Sequence, residues 1–399
     1  MYSRRVLTTA ETARRLGVKP QTVYAYVSRG LLTRHPDRDG RRSLFDPAEV
    51  ERLAARARHG GRAGALEVVV DTELTLLDPA GRLFFRGRDA TELARFRSFE
   101  QVAELLWDSD DAHTPWRAPV EMLRVGADAQ DALPLGARPV DRMRVVAAAA
   151  GATDPLRDDR RPAAVREVGR TLIATLVDAL PRRSAPRDGS IAARLWSRLG
   201  DEPPSPSALN ALDAALVLLA DHELAASTLA ARVAASAWAD PYLVVVCGLG
   251  ALGGALHGAS AGAVEAMLAS IASPEDAGAA LGERLRADGR VPGFGLGVYR
   301  DRDPRADAIL GLLPRAAPGE RLDVIDEVVR LAGRQDGPAP NVDFALGALS
   351  AACGLRPGAA EAIFSLARVA GLIAHAIEEY PHRLRFRPRA AYTGPAPRP

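Results

Sequence analysis

The sequence predicts a mostly α-helical protein in which a small basic head precedes a much larger helical body. Three observations support this prediction. Hydrophobic residues make up 47% of the 399-residue chain, which is enough for a sizeable buried core. Beyond residue 90, almost every segment has apolar residues at helical spacing. Residues 1–62 contain 14 basic and 6 acidic side chains, whereas the remainder is net acidic, so a polyanion is the expected partner of the head.

The head, assigned to residues 1–60, is predicted to contain two helices joined by a turn, a two-stranded wing and a third helix. Thr8 or Thr9 caps the first helix, Gly17 ends it and Pro20 opens the second. A charged turn at residues 39–40 is expected within the wing. This order of elements resembles the winged helix-turn-helix heads of the MerR and excisionase families.

That resemblance implies a DNA-binding surface on the head. The second helix of such a module enters the major groove, and arginines on the wing and flanks contact phosphates. Three-helix modules of this kind also serve in oligomerisation or in binding protein partners, so this alternative stays open. The residues predicted to face outward and contact DNA are Gln21, Thr22, Tyr24, Tyr26, Arg29, Arg41 and Arg42.

Rare residue types exclude several chemistries. Lys19 is the only lysine, which excludes Schiff-base catalysis in the body and a P-loop lysine. The two cysteines, Cys247 and Cys353, lie far apart in apolar surroundings and are expected to be buried thiols, so neither a disulfide framework nor a CxxC site is predicted. No secretory signal or membrane-spanning stretch is evident, and a cytoplasmic location is therefore expected.

The body is predicted to begin after a linker at residues 56–64, which contains a Gly-Gly pair. Residues 68–77 alternate enough for a short strand pair around a turn at residues 78–81. Helical periodicity is present from residue 90 to residue 107.

Histidines, acids and glycine turns of the body are concentrated in a few short segments. Taken alone, each has an ordinary explanation: His222 could be a capping histidine, and Asp343 a helix N-cap. Together and in this order they resemble the citrate synthases, over about residues 67–394. The segments are residues 220–228, 248–258, 291–305, 340–344 and 386–394, accompanied by residues 83–87, 92–94 and 98–107.

The resemblance implies a particular domain arrangement. A large helical domain would comprise residues 64–261 and 346–399, and a small helical domain, residues 262–345, would be inserted in it, with the active site in the cleft. Members of the family are dimers or multiples of dimers, so a homodimer is expected. A two-fold dimer would present two heads to the half-sites of a palindromic operator.

The resemblance also implies roles for individual residues. Asp343 matches the base that removes a proton from the acyl-CoA methyl group, and His257 matches the donor to the thioester oxygen. The acceptor, a dicarboxylic 2-oxo acid such as oxaloacetate, requires arginines and a histidine. A coenzyme A thioester is a substrate, and no metal or bound cofactor is implied. The residues matching the acceptor site are His222, Arg305 and Arg387, and Arg300 matches a position associated with coenzyme A.

Leu296 is the main departure from the family pattern. It stands where the family usually has the histidine that polarises the acceptor ketone, and leucine cannot donate a hydrogen bond. Losing one such donor typically costs about 100- to 1,000-fold in rate, or roughly 3 to 4 kcal/mol.

Three alternative functions remain. The first is a working citrate or 2-methylcitrate synthase, with a role in the tricarboxylic acid cycle, which uses acetyl-CoA or propionyl-CoA and either compensates for Leu296 with another donor or is weakened by it. The second is a DNA-binding transcription regulator whose body senses a metabolite or an acyl-CoA. The third is a condensing enzyme with another acceptor acid or acyl-CoA, for which Leu296 determines specificity. Retention of both His257 and Asp343 favours an enzyme, because a pure sensor needs no base and opposing donor.

Overall fold

The structure, a computed structural model, describes residues 6–28, 32–36, 43–47, 49–50, 69–78, 81–109, 115–255, 257–258, 260–334 and 337–386, without the side chains of Gln21, Ala25 and Ser28. It contains two compact units, Met1–Asp71 and Thr72–Pro399. Helices dominate the described residues, which confirms the mostly α fold. The division of the second unit into a large and a small domain stays a prediction.

The first unit combines two helices with a small antiparallel sheet. Its strands pair in the order β1-β3-β2, with Leu7 opposite Phe45 and His35 opposite Leu44. The predicted wing therefore has a third strand, which comes from the segment before the first helix. The elements are β1 (Leu7–Thr8), α1 (Thr9–Leu16), α2 (Pro20–Ser28), β2 (His35–Pro36) and β3 (Ser43–Phe45).

Capping explains where α1 begins and ends. The Thr8 hydroxyl accepts a hydrogen bond from the Glu11 amide, and the Glu11 carboxylate accepts one from the Thr8 amide, forming a capping box. Gly17 ends the helix at φ 66°, a left-handed conformation that glycine adopts without strain. Thr8 and Gly17 are thus the boundaries that the sequence predicts.

A small apolar core holds the first unit together. Val23, Phe45 and Val50 are fully buried in it, and Tyr26 packs against it. The expectation that Tyr26 faces wholly outward is therefore corrected: its side chain is partly buried, because Tyr26 lies about one helical turn after Val23, and its contact with DNA stays a prediction. Tyr24 is exposed, as predicted.

The second unit starts with a three-stranded antiparallel sheet of β4 (Thr75–Leu77), β5 (Leu83–Phe85) and β6 (Arg88–Asp89). The predicted strand pair around residues 78–81 is confirmed as β4 and β5. Helices make up most of the rest of this unit: α3 (Ala90–Phe96), α4 (Phe99–Leu106), α5 (Val120–Asp131), α6 (Pro139–Ala150), α7 (Pro162–Asp178), α8 (Ile191–Leu199), α9 (Pro206–Leu219), α10 (Ala226–Ser236), α11 (Pro241–Leu252), α12 (Ser260–Ala269), α13 (Ala277–Asp288), α14 (Pro304–Leu310), α15 (Leu313–Ala316), α16 (Glu320–Ala332), α17 (Val342–Ala352) and α18 (Ala359–Glu379). Short 3-10 turns occur at Gly151–Thr153, Pro274–Asp276 and Tyr380–His382.

Helix α18 forms the centre of the second unit and packs against α7, α9, α10 and α11. Among the described residues, the segment Ala359–His382 is long and apolar enough to cross a bilayer by length and composition. Its apolar window is 94% buried inside the fold, so it is a core helix. Cys353 is half-buried and Cys247 is exposed, which corrects the expectation of two buried thiols, since Cys247 lies on the outer face of α11.

Candidate active site

A cavity of about 480 Å³ in the second unit brings together five of the residues predicted to take part in catalysis or substrate binding. A larger cavity of about 950 Å³ is lined by segments within residues 135–142, 180–183, 262–269 and 350–361, together with Arg198 and Arg321, and includes no histidine among the described residues. The smaller cavity is the candidate site because its wall combines two histidines, a carboxyl and two buried arginines. The five predicted residues are His222, His257, Leu296, Arg305 and Asp343.

Asp343 lies in the first turn of α17, and its carboxyl is not used as a helix cap. Asn341 is the N-cap instead: its side-chain oxygen accepts hydrogen bonds from the amides of Asp343 at 3.0 Å and Phe344 at 3.3 Å. Asp343 Oδ1 is buried and has no hydrogen-bond partner among the described residues. Burial raises the pKa of the Asp343 carboxyl to about 7, and the nearby Arg305 charge opposes this. The carboxyl is thus able to gain and lose a proton near neutral pH.

His257 lies after the end of α11 and contacts the buried hydroxyl of Ser227, with 2.9 Å between Nε2 and Oγ. Burial lowers the pKa of His257 to about 4, and the Arg368 charge adds to this, so the ring is neutral at pH 7. We assign the Ser227 hydroxyl as the donor to Nε2, which leaves the ring hydrogen on Nδ1. The ring then has one N–H group with which to bind a ligand.

His222 lies in the turn between α9 and α10. Its Nε2 is 2.9 Å from the hydroxyl of Tyr299. Burial holds the pKa of His222 well below its ordinary value, and the charges of Arg305 and Arg368 add to the effect. A neutral ring in this position can orient a polar ligand group without repelling the two arginines.

Arg305 is buried and held in a fork by Asp303. Its Nε lies 3.0 Å from Asp303 Oδ1, and its Nη2 lies 2.8 Å from Oδ2. The same carboxylate also accepts a hydrogen bond from the Val342 amide at 3.1 Å, so it joins Arg305 to the start of α17. Although burial opposes the charged form, Asp303 keeps the pKa of Arg305 above its ordinary value. Arg305 is therefore a fixed cation in the cavity wall.

Arg368 is the main cavity residue that was not predicted from the sequence. It projects from α18 into the cavity wall with an exposed fraction of 1%. Its Nε donates to the Leu219 carbonyl at 3.0 Å, while Nη1 and Nη2 have no hydrogen-bond partner within the described parts of the chain. Burial lowers its pKa to about 10, so it stays charged at neutral pH. Two unsatisfied donors on a buried cation constitute a binding group for an anion.

The loop before α14 places Leu296 opposite the start of α17. Phe294 bridges to Pro340, and the Gly295 amide donates to the Ala339 carbonyl at 3.0 Å. Gly293 has φ 79°, and a Cβ at that position would lie 2.7 Å from the Cβ of Phe344. Only glycine fits there. Leu296 thus lies in the cavity wall with an apolar side chain, and its correspondence to a histidine of the family stays a prediction.

The other residues predicted for the site do not line this cavity or lie outside the described residues. Arg300 is exposed and does not line the cavity, so its contact with coenzyme A stays a prediction. Arg387 lies outside the described residues, as do Arg29, Arg41 and Arg42 of the head. Among the described residues, no group of three or more histidine, cysteine, aspartate or glutamate side chains could hold a metal ion.

Comparison with known proteins identifies relatives of both units. Residues 65–389 match the family model for the citrate synthase C-terminal domain, and residues 6–58 match a helix-turn-helix domain model. The chain is 31% identical to a 2-methylcitrate synthase of Mycobacterium tuberculosis, covering 84% of this chain and 90% of that protein. It is 29% identical to citrate synthase 2 of Bacillus subtilis, and this match covers 78% of this chain and 90% of that protein.

A solved structure shares the fold. Citrate synthase from Thermoplasma acidophilum, solved as a ternary complex with carboxymethyl coenzyme A and oxaloacetate, superimposes with a TM-score of 0.70 at 25% identity. The match covers 83% of this chain and 95% of that one.

Proposed function

The chain belongs to the citrate synthase family, and from this premise we propose that it condenses an acyl-CoA with oxaloacetate or a related 2-oxo acid. The observation that supports this most is the placement of Asp343 and His257 in one cavity: a carboxyl with a pKa of about 7 and a buried oxygen that has no hydrogen-bond partner among the described residues, and an imidazole whose Nε2 lies 2.9 Å from Ser227 Oγ. A coenzyme A thioester is the substrate, and no metal or bound cofactor enters the proposed reaction.

The first step is enolisation of the thioester. Asp343 takes a proton from the acyl carbon next to the thioester carbonyl, and His257 donates a hydrogen bond from Nδ1 to the thioester oxygen. The negative charge of the enolate is therefore stabilised while it develops.

In the second step the enolate carbon forms a bond to the carbonyl carbon of the acceptor, whose C=O π bond breaks, and the resulting alkoxide takes a proton from solvent water. Arg368 and Arg305 would bind the carboxylates of the acceptor, and His222, held by Tyr299, would orient it. Leu296 contributes no donor to the acceptor oxygen and so slows this step with oxaloacetate. Hydrolysis of the resulting thioester would release coenzyme A and the carboxylic acid.

The test is the release of free thiol by the purified protein with oxaloacetate and either acetyl-CoA or propionyl-CoA. Release that disappears in an Asp343→Ala variant supports the proposal, and the ratio of the two rates identifies the acyl donor. Absence of release with both donors, from a folded protein, contradicts it for these substrates.

The second candidate function is regulation of transcription, with the body sensing a metabolite or an acyl-CoA. The helix-turn-helix match and the excess of basic over acidic residues in the head favour it. DNA binding is compatible with an active enzyme, and a cytoplasmic homodimer would present two heads to DNA.

Selection from a random duplex library, with titration of the enriched sequences at several salt concentrations, tests DNA binding. Replacing Thr22 and Tyr24 together by alanine should abolish sequence preference, while binding that depends on salt persists. A library without any enriched sequence would contradict this second candidate.

A further inference from the structure

A network of buried, hydrogen-bonded polar side chains begins at the residue before His222, and none of these side chains lines the cavity. Asp221, the residue before His222, is fully buried. Its Oδ2 accepts a hydrogen bond from the Thr75 hydroxyl at 2.5 Å and lies 3.3 Å from His375 Nε2. The carboxylate therefore joins strand β4 and helix α18 to the turn that carries His222.

The partner of His375 fixes its tautomer. Its Nδ1 lies 2.8 Å from Nη1 of Arg232, and a guanidinium can only donate, so Nδ1 accepts. The ring hydrogen is then on Nε2 and points to Asp221. Arg232, itself fully buried, is held by Glu379 at 2.8 Å and by Glu378 at 2.5 Å. Each side chain of this network is oriented by its hydrogen bond to the next.

Backbone contacts fix the same turn. The Gly371 amide of α18 donates to the Ala220 carbonyl at 2.9 Å, and a Cβ at position 371 would collide with Asp221 Oδ1. Glu223, just after His222, has φ 52°, a left-handed conformation that is strained for a glutamate. Such a turn keeps its shape only when its surroundings hold it.

The segment that begins the second unit completes this network of hydrogen bonds. The Glu73 amide donates to Glu378 Oε1 at 2.8 Å, and Thr75 is two residues further along. We propose that Thr75 and His375 are positioning residues that act through Asp221 to hold His222 in the orientation that binds the acceptor acid. This inference rests on the function proposed above for the same cavity.

Thr75→Val is the test, because it keeps the shape of the side chain and removes the hydroxyl. The KM for the acceptor should rise about tenfold, as when a partner that orients a binding group is lost, while kcat and the KM for the acyl-CoA change less than about twofold. Thr75→Ser should restore the wild-type KM. The matched control is Thr175→Val, since Thr175 is also buried and its hydroxyl donates to the Thr171 carbonyl within α7.

A second readout does not depend on turnover. Ring ¹⁵N signals of the seven histidines, assigned by single His→Gln variants, report each tautomer. Thr75→Val should shift the His222 signals, and Thr175→Val should not. If Thr75→Val does not fold, Thr75→Ala takes its place.

The outcomes separate the two proposals. Unchanged His222 signals, or an acceptor KM equal to that of the control variant, would overturn the positioning role. Absence of coenzyme A release from the wild-type protein, with shifted His222 signals in Thr75→Val, would contradict the proposed reaction and leave the positioning role supported.

Discussion

Ser227 Oγ lies 2.9 Å from His257 Nε2, which joins the first turn of α10 to the segment after α11. With the Ser227 hydroxyl assigned as the donor to Nε2, the hydrogen of a neutral His257 is on Nδ1. Ser227 belongs to one of the segments that the sequence singles out, although no role could be predicted for it. Its contact with His257 gives the first prediction.

Ser227→Ala should lower kcat about tenfold, because the imidazole loses the partner that selects its donor tautomer. Steady-state release of coenzyme A measures this. Ser236→Ala in the same helix is the control, since Ser236 is buried and its hydroxyl donates to the Val233 carbonyl, away from the cavity. Equal rates for the two variants would contradict the role of Ser227.

The pKa of Asp343, about 7, predicts the pH profile. A base acts only when ionised, so kcat/KM should rise with pH up to about 7 and level off above it, falling about tenfold per unit below. His257, with a pKa of about 4, stays neutral throughout this range. A profile that is flat between about pH 5.5 and 7.5 would show that another group is the base.

The same carboxyl affects stability. Its pKa is raised in the folded protein relative to the unfolded chain, so the stability that it contributes in its protonated form is lost as pH rises through about 7. The stability is lost over the whole range from the unfolded pKa of about 4 to the folded pKa of about 7, so the excess free energy of unfolding of Asp343→Asn over wild type should be larger at pH 8 than at pH 5, by on the order of 2 kcal/mol. Denaturant titration at the two pH values measures this. Asp128→Asn, at an exposed position, is the control. An equal difference at both pH values would contradict the raised pKa of Asp343.

Arg368 is predicted to bind a carboxylate of the acceptor through Nη1 and Nη2, which have no hydrogen-bond partner among the residues that the structure describes. Arg368→Met should raise the KM for the acceptor by about 100-fold, because removing a charged hydrogen-bond partner costs roughly 2 to 3 kcal/mol. The KM for acyl-CoA should not change. Arg194→Met is a suitable control, since Arg194 is mostly buried but bonds Asp178 and the Trp116 carbonyl outside the cavity. If Arg368→Met and Arg194→Met lose stability to the same extent and have the same KM for the acceptor, the assignment is refuted.

Leu296 gives a gain-of-function prediction. Leu296→His should raise the rate of coenzyme A release with oxaloacetate by about 100-fold, by restoring a donor to the acceptor oxygen. Leu296→Met, which changes shape but adds no donor, should not. No gain in Leu296→His would mean that the cavity takes an acceptor other than oxaloacetate.

Much of the fold and of the site could be predicted from the sequence. The order of the glycine-rich and histidine-containing segments resembles the citrate synthases, and that resemblance implies His222, His257, Arg305 and Asp343, although each residue alone has an ordinary explanation. The mostly α fold and the helix-turn-helix head, which helical spacing and helix caps predict, are both confirmed.

The residues that could not be predicted act through long-range contacts. Arg368 lies in the middle of an apolar helix, and only the tertiary structure shows that its guanidinium opens into the cavity. A buried arginine in such a helix is itself a signal, because an unpaired internal charge is costly. Tyr26 is partly buried rather than wholly outward, since the helical spacing of the apolar residues in α2 does not define the width of the buried face.

Enolisation by Asp343 and His257 can be measured without turnover, as exchange of the methyl hydrogens of acetyl-CoA in D₂O observed by proton NMR. Malate, a dicarboxylate with a hydroxyl in place of the ketone, would fill the acceptor site without reacting. We expect loss of the methyl signal with wild-type protein and none with Asp343→Asn or with His257→Ala. Exchange that is equal in wild type and Asp343→Asn, or absent from the wild-type protein, would contradict enolisation by these two residues.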